Sequence, residues 1–280
     1  MTEFTQDKVP NLVIYGHVGF DISVTPTNNV KLPGGSAYYA TLAASLLSSS
    51  IGIVTVIGQD FPIKNLQFFN LVDTTGINFQ NGNSAVFYQE YDGENNVLSF
   101  HSHLNVCEDL SPSMIPTHYL QSKVFFVTTA PPIQQKQILD WLIIKKYAGV
   151  IAVDTTMSYV DEFRSLLKEY DKHIHIVFAN ASEYQALSWF PVPHITVVVK
   201  RGAKGVALWE NGVWQSMPAT AVSQVHTTTG AGDILAGASL AYMADGKMFK
   251  TALSTGIELA TESVTNPNVE HLWQKRRLIG

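Results

Sequence analysis

A single cysteine, Cys107, stands among 280 residues, so no disulfide can form within the chain and the residue reads as a structural thiol. No apolar run reaches the roughly 18–20 residues that a membrane-spanning helix needs. The stretch Met1 to Pro10 is polar, carries Glu3 and Asp7, and lacks the pattern of a secretory leader. A cytoplasmic location is therefore expected. Basic residues are few: 18 Lys and Arg face 23 Asp and Glu, for a net charge of −5. Their first cluster is Lys275-Arg276-Arg277, a pattern that fits a solvated chain end. Neither nucleic acid nor a membrane is an expected partner. The motif Gly-x-x-x-x-Gly-Lys-Ser/Thr is also missing, which excludes a P-loop kinase.

What is present is an ordinary globular composition, 46% hydrophobic and 15% charged, long enough for one large α/β domain or two small ones. Short apolar runs read as buried strands at Leu12–Gly16, Gly52–Gly58, Val124–Val127, Val150–Val153, Ile174–Phe178 and Ile195–Val199. Helical patterns lie between them, at Gly35 to Leu47, Ile133 to Tyr147 and Tyr159 to Glu169, and Ala231 to Val264 reads as two packed helices. This alternation predicts an α/β fold with a mostly parallel central sheet and helices on both faces. Ligands then bind at the carboxyl ends of the strands. Two stretches break the pattern. Residues 22–32 are polar and β-like, and 84–104 alternate around an Asp92-Gly93 hairpin signal. They predict a small β-sheet flap on a single domain spanning 1–280.

The most informative segment is His226-Thr-Thr-Thr-Gly-Ala-Gly-Asp-Ile-Leu-Ala-Gly-Ala238. Gly230, Ala231 and Gly232 precede Asp233 at the start of an apolar helix. Such a turn aims backbone N–H groups and the positive end of a helix dipole at one point, beside a carboxylate. An anion cup next to a proton acceptor suggests phosphoryl transfer. Taken alone, Asp233 would only stabilise a helix start, by about 0.3–1 kcal/mol. Three further motifs accompany it in order: Gly16-His-Val-Gly-Phe-Asp21, Pro33-Gly34-Gly35 before a small-residue helix, and Asn180-Ala-Ser-Glu183 after a strand. On these four motifs, nearly the whole chain resembles the ribokinase-like (PfkB) carbohydrate and nucleoside kinases.

The resemblance implies a role for each residue. Asp233 would be the base that accepts the proton of the attacking hydroxyl, with Gly230, Ala231 and Gly232 as the anion hole. Asp21 would contact sugar hydroxyls, and Gly34 and Gly35 would let the substrate lie against the backbone. Asn180 would lie near the nucleotide phosphates, and Glu183 would hold the water shell of Mg²⁺, although the same spacing also makes an ordinary capping box. Lys200, Gly202 and Gly205 would border the ATP triphosphate, and Asn266 the adenine. For Arg201 and Lys204 a plain β-turn is the better reading. The pairs His101/His103 and His173/His175 lack a third ligand, so neither indicates metal.

The chain also departs from the family. Thr227 stands where members often have an Asp that shapes a monovalent-cation site, so activation by K⁺ is not to be assumed. Tyr39 occupies the position of a sugar-binding Asn. A phenol ring can stack but cannot copy an amide's hydrogen bonding, so ribose is not the default substrate. The Gly-rich segment near the end is reduced to Asn266-Pro-Asn268. The expected activity is ATP- and Mg²⁺-dependent phosphorylation of a small sugar or sugar alcohol under a closing flap. The alternative is a nucleoside kinase of the same fold, with Tyr38 and Tyr39 stacking a base. A rival of another class is a non-catalytic sugar- or nucleotide-binding regulator, against which Asp233 and the Asn180/Glu183 pair argue. A homodimer through exposed flap edges is also an expectation.

Overall fold

The computed structural model describes residues 9–26, 28–48, 50–63, 67–92, 97–188 and 191–279. In chain order its elements are β1 (Leu12–Tyr15), β2 (Gly19–Thr25), β3 (Asn28–Gly34), α1 (Ser36–Leu47), β4 (Ile51–Gly58), β5 (Asp73–Gln80), β6 (Ala85–Tyr91), β7 (Val97–His103), β8 (Val124–Val127) and α2 (Pro132–Ile144). Then follow β9 (Val150–Asp154), α3 (Val160–Glu169), β10 (Ile176–Asn180), α4 (Ala181–Leu187), β11 (Thr196–Lys200), β12 (Val206–Glu210), β13 (Val213–Met217), α5 (Ala231–Ala244), α6 (Phe249–Ser263) and α7 (Glu270–Ile279).

Nine strands form one sheet in the order β13-β12-β11-β10-β9-β8-β1-β4-β5. The seven strands from β5 to β11 are parallel, and β12 and β13 continue antiparallel. The pleat explains the unbroken apolar runs. In β1, Leu12 and Ile14 pack with α1 and α5, whereas Val13 and Tyr15 pack with α2 and α3 on the other face, and all four are fully buried. Burying each such aliphatic side chain contributes about 1.5–3 kcal/mol. The expected α/β fold, mostly parallel with helices on both faces, is therefore present. Among the described residues no helix is long and apolar enough to cross a membrane.

A second sheet has the order β3-β2-β6-β7, with β2 and β6 parallel and the outer pairs antiparallel. It is the expected flap, with wider limits. The β-like residues 22–32 take in parts of β2 and β3, between which Thr25 Oγ1 accepts a bond from the Asn28 N–H at 3.0 Å. Three parts of the sequence reading lie outside the described residues: Gly93 of the hairpin signal, Glu3 with Asp7, and the side chains of Lys275-Arg276-Arg277. β10 begins at Ile176, two residues later than the apolar run, since the Ile174 N–H bonds back to the Tyr170 carbonyl at the end of α3. Cys107 is fully buried, donates to the Val56 carbonyl at 3.0 Å, and burial pushes its pKa up to about 12.

Helices α1 and α5 meet through small residues. A methyl group on Gly237 of α5 would strike the backbone of Ala40 in α1, and one on Gly256 of α6 would strike Ser239. This contact seats the start of α5 over the carboxyl ends of the parallel strands. Gly237→Val should push α1 and α5 apart and cost about 1–3 kcal/mol, as overpacking typically does. Chemical denaturation should show a lower midpoint, and an unchanged midpoint would mean that the two helices can part freely.

Candidate active site

Five parallel strands bring their carboxyl ends to one place. They deliver His17 after β1, Thr128 and Thr129 after β8, Asp154 at the end of β9, Asn180 at the end of β10 and Lys200 at the end of β11. The N-terminus of α5 faces them. A cavity of about 240 Å³ between these parts is lined by Asp21, Gly35, Tyr39, Glu183, Lys200, Gly230, Gly232 and Asp233, and roofed by Phe87, Gln89, Phe100 and Ser102 of the flap. A larger cavity of about 510 Å³ lies under the β2–β3 half of the flap, against Thr227, Thr228 and Glu270. Asp21, Tyr39 and Thr229 line both.

The turn before α5 is tight and closely packed. Gly230 takes φ +73°, in the left-handed region, and a side chain there would collide with the ring of Tyr39. Ala231, Gly232 and Asp233 form the first helical turn, whose N–H groups have no acceptor within a helix ladder. The Ala231 N–H bonds back to the Thr228 carbonyl at 3.2 Å, and Thr227 Oγ1 accepts from the Thr229 N–H at 3.2 Å.

Asp233 stands among like charges. Its pKa is raised well above the usual carboxylate range, first by burial and then by Asp154, with Asp21 and Glu183 adding and Lys200 opposing. Lys200 Nζ donates to both oxygens of Asp154, at 3.0 and 2.7 Å. Burial acts to lower the pKa of Lys200, but Asp154, Glu183 and Asp233 outweigh it and the net shift is upward. Asn180 and Glu183 form the capping box of α4: Asn180 Oδ1 accepts the Glu183 N–H at 2.9 Å, and Glu183 Oε2 accepts the Asn180 N–H at 2.6 Å. Among the described residues no group of three His, Cys, Asp or Glu side chains is arranged to hold a metal ion. A divalent cation suits the excess negative charge, but it would take most of its ligands from water and phosphate.

Asp21 is enclosed more tightly than a solvated turn residue. Tyr39 Oη donates to its Oδ2 at 2.5 Å, the Gly35 backbone also donates to it, and Gly34 has no space for a side chain because the carboxylate fills it. Burial raises the Asp21 pKa to about 6, with the Tyr39 and Gly35 hydrogen bonds acting against it. His17 lies beneath the flap, stacked on Phe87, with Nε2 2.8 Å from Gln134 Oε1. Burial lowers its pKa to about 4, so it is neutral at pH 7. Thr229 Oγ1 donates to Gln89 Oε1 at 3.1 Å, tying the flap to the turn before α5.

The fold thus gathers Asp233, Gly230, Ala231, Gly232, Asp21, Gly34, Gly35, Tyr39, Glu183 and Lys200, with Asn180 beside Glu183. Gly202, Gly205 and Asn266 line neither cavity. Gly205, at φ +76°, is packed against the backbone of 217–219, whereas the Cβ direction of Gly202 is open. Sequence reasoning missed Asp154, because the apolar run ends at Val153. The signal available was its place at a strand's carboxyl end. It also missed Gln89 and His17 as single residues. The histidine pairs have local partners: His101 stacks on Tyr88 at 4.6 Å, and His175 Nδ1 accepts the Ile151 N–H at 3.1 Å.

Comparison with known proteins gives a consistent result. The model of the pfkB family carbohydrate kinases matches residues 10–276. A cytidine kinase of Thermococcus kodakarensis is 30% identical over 272 residues, covering 90% of this chain and 95% of the relative. Among solved structures, a nucleoside kinase of Burkholderia thailandensis in complex with inosine superposes with a TM-score of 0.80 at 14% identity, covering 96% of this chain and 97% of that one. The ribokinase of Thermotoga maritima gives 0.75 at 19%, covering 94% and 96%.

The Asp21 environment has a cost that depends on pH. An exposed carboxylate ionises near 3.8, whereas the folded protein holds the Asp21 proton up to about 6. Folding stability is therefore lost as pH rises from about 4 to about 6, and the deficit persists above that. Asp21→Asn should be more stable than the wild type at pH 8, by about 1–3 kcal/mol, with the difference vanishing near pH 4. Thermal unfolding at both pH values checks this, and a gain equal at both would refute it.

Proposed function

The chain belongs to the pfkB family of carbohydrate kinases, ATP-dependent phosphotransferases, and we propose that its acceptor is a nucleoside, a pyrimidine nucleoside such as cytidine first. The observation that carries this reading is the match to the Thermococcus kodakarensis cytidine kinase over nearly the full length of both chains. It shifts the balance away from the free sugar or sugar alcohol that the motifs alone favour. The cavity supports it. Beside the carboxylates Asp21 and Asp233, the same space is lined by Phe87, Phe100, Pro131 and Tyr159. A flat base can stack on the rings of Phe87, Phe100 and Tyr159.

In this reading Asp21 accepts a ribose hydroxyl hydrogen bond and places the reacting hydroxyl near Asp233. Asp233 takes that hydroxyl's proton, the oxygen bonds to the γ-phosphorus, and the bond from the γ-phosphorus to the bridging oxygen breaks to release ADP. The turn Gly230–Gly232 holds the charge on the transferring group through the N–H groups of Gly230 and Gly232, that of Ala231 being bonded to the Thr228 carbonyl. Lys200 neutralises phosphate charge from the side of β11. Family membership implies Mg²⁺ with ATP, whose charge would neutralise the phosphate oxygens, and Glu183, which lines the cavity, would hold its water shell. Positive charge entering this cluster lowers the raised pKa of Asp233 and readies it as a base. The Thr229–Gln89 bond fixes the flap over the cavity, which limits loss of the phosphoryl group to water.

ADP release against a panel of pyrimidine and purine nucleosides, sugars and polyols tests this reading. Cytidine should exceed every free sugar in kcat/KM by at least about tenfold, the scale of a modest binding difference. Asp233→Asn should lower kcat by at least about 10²-fold, the lower end for losing a general base. A sugar turned over faster than any nucleoside would return the acceptor to the sugar class. Binding without any ADP release would favour a regulator.

A further inference from the structure

Asp154 ends β9 and has no part in the roles above. It is 1% exposed, and both of its oxygens accept from Lys200 Nζ. Its Oδ1 also accepts the Thr155 N–H at 2.9 Å. Lys200 comes from β11, two strands away, with β10 between. Its Nζ lies 3.2 Å from where a methyl on Gly232 would be, so the ammonium stands at the first turn of α5, beside the residue that precedes Asp233.

The charged neighbours of Asp233 come from every side. Asp154 faces it from β9, Lys200 from β11, Glu183 from α4 and Asp21 from β2, with the Tyr39 hydroxyl from α1. One ammonium serves this group of carboxylates. A carboxylate paired to an ammonium is a weak proton acceptor, because the positive charge favours its ionised form. The two hydrogen bonds to Asp154 hold Lys200 elsewhere. An ammonium has three N–H donors. Two go to Asp154, which leaves one for a phosphate oxygen arriving at the turn.

We propose that Asp154 is a positioning residue for phosphoryl transfer: it holds Lys200 at the foot of the Gly230–Asp233 turn, off the base and facing the donor's phosphates. The proposal rests on the reading of Asp233 as the base. Asp154 itself touches neither substrate and acts through Lys200 alone. Without it, Lys200 closes on Asp233 and the base is lost to an internal ion pair.

The test is a cycle of wild type, Asp154→Asn, Lys200→Met and the double variant, each assayed for kcat and KM with saturating ATP and cytidine. Asp154→Asn should lower kcat by at least about tenfold, within the range a general base contributes. Its KM for cytidine should stay within about threefold of the wild type, since the acceptor contacts are intact. The double variant should regain kcat relative to Asp154→Asn, because no ammonium remains to close on Asp233. An Asp154→Asn protein with wild-type kcat overturns the proposal, and so does a double variant no faster than Asp154→Asn. The single variant leaves a buried ammonium without its partner. If it fails to fold, the double is read against Lys200→Met. Equal kcat within about threefold then supports action through Lys200, and a further drop overturns it. Asp233→Asn is assayed alongside. Wild-type kcat in that variant removes the base assignment itself, whereas a cycle that fails while Asp233→Asn is inactive removes only the role of Asp154.

Discussion

Gly230 lies against the ring of Tyr39 with no space for even a methyl group between them. Through this contact the turn at the start of α5 touches the residue whose hydroxyl bonds Asp21. The turn before α5 and the Asp21 carboxylate therefore share one spacing. That spacing is set further along the same two helices, where Gly237 lets α5 lie on the backbone of Ala40 in α1. A bulkier seam would lift the turn from the strand ends and separate Asp233 from Asp21. The run of small residues in both helices has its physical reason here. Close approach of backbones needs side chains that are nearly absent.

Electrostatics is the second organising feature. Parallel strands end together, so their terminal residues are forced into one neighbourhood however far apart they lie in sequence. Asp154 and Lys200 are 46 residues apart and share two hydrogen bonds. Burial raises the pKa values of Asp21, Asp154, Glu183 and Asp233 alike. A fold selected only for stability would not gather these carboxylates around one ammonium, since desolvated charge is expensive. The arrangement makes sense if additional positive charge and phosphate arrive together. Added positive charge would favour the ionised forms of these same carboxylates.

The fold was legible from local pattern. Continuous apolar runs marked the parallel strands because both of their faces are buried. Alternation marked β6 and β7 because the flap has two unlike faces. Boundaries were less legible: Ile174 looks like strand but closes the end of α3, and residues 22–32 take in parts of two strands, β2 and β3. Within the site, Asp233 and the glycines before it were legible because a tight turn into a helix draws on consecutive small residues, and consecutive residues stay together in sequence. Asp21 and Tyr39 were each visible, but their hydrogen bond was not. Asp154 was invisible, since nothing local separates a strand-ending Asp from a solvated one.

By itself, then, the sequence determined the α/β architecture, the flap and the glycine turn before α5, all of which rest on short-range periodicity and contiguous motifs. It also carries Tyr39 where the resemblance to the sugar kinases leads one to expect an amide. Only the tertiary structure decided which charges face one another, that Lys200 is committed to Asp154, that the Tyr39 phenol is bound to Asp21, and that aromatic side chains of the flap and of the turn before α3 line the same cavity. These are contacts between residues distant in the chain. Their energies depend on burial and on angles between elements, and neither quantity is written in the order of residues.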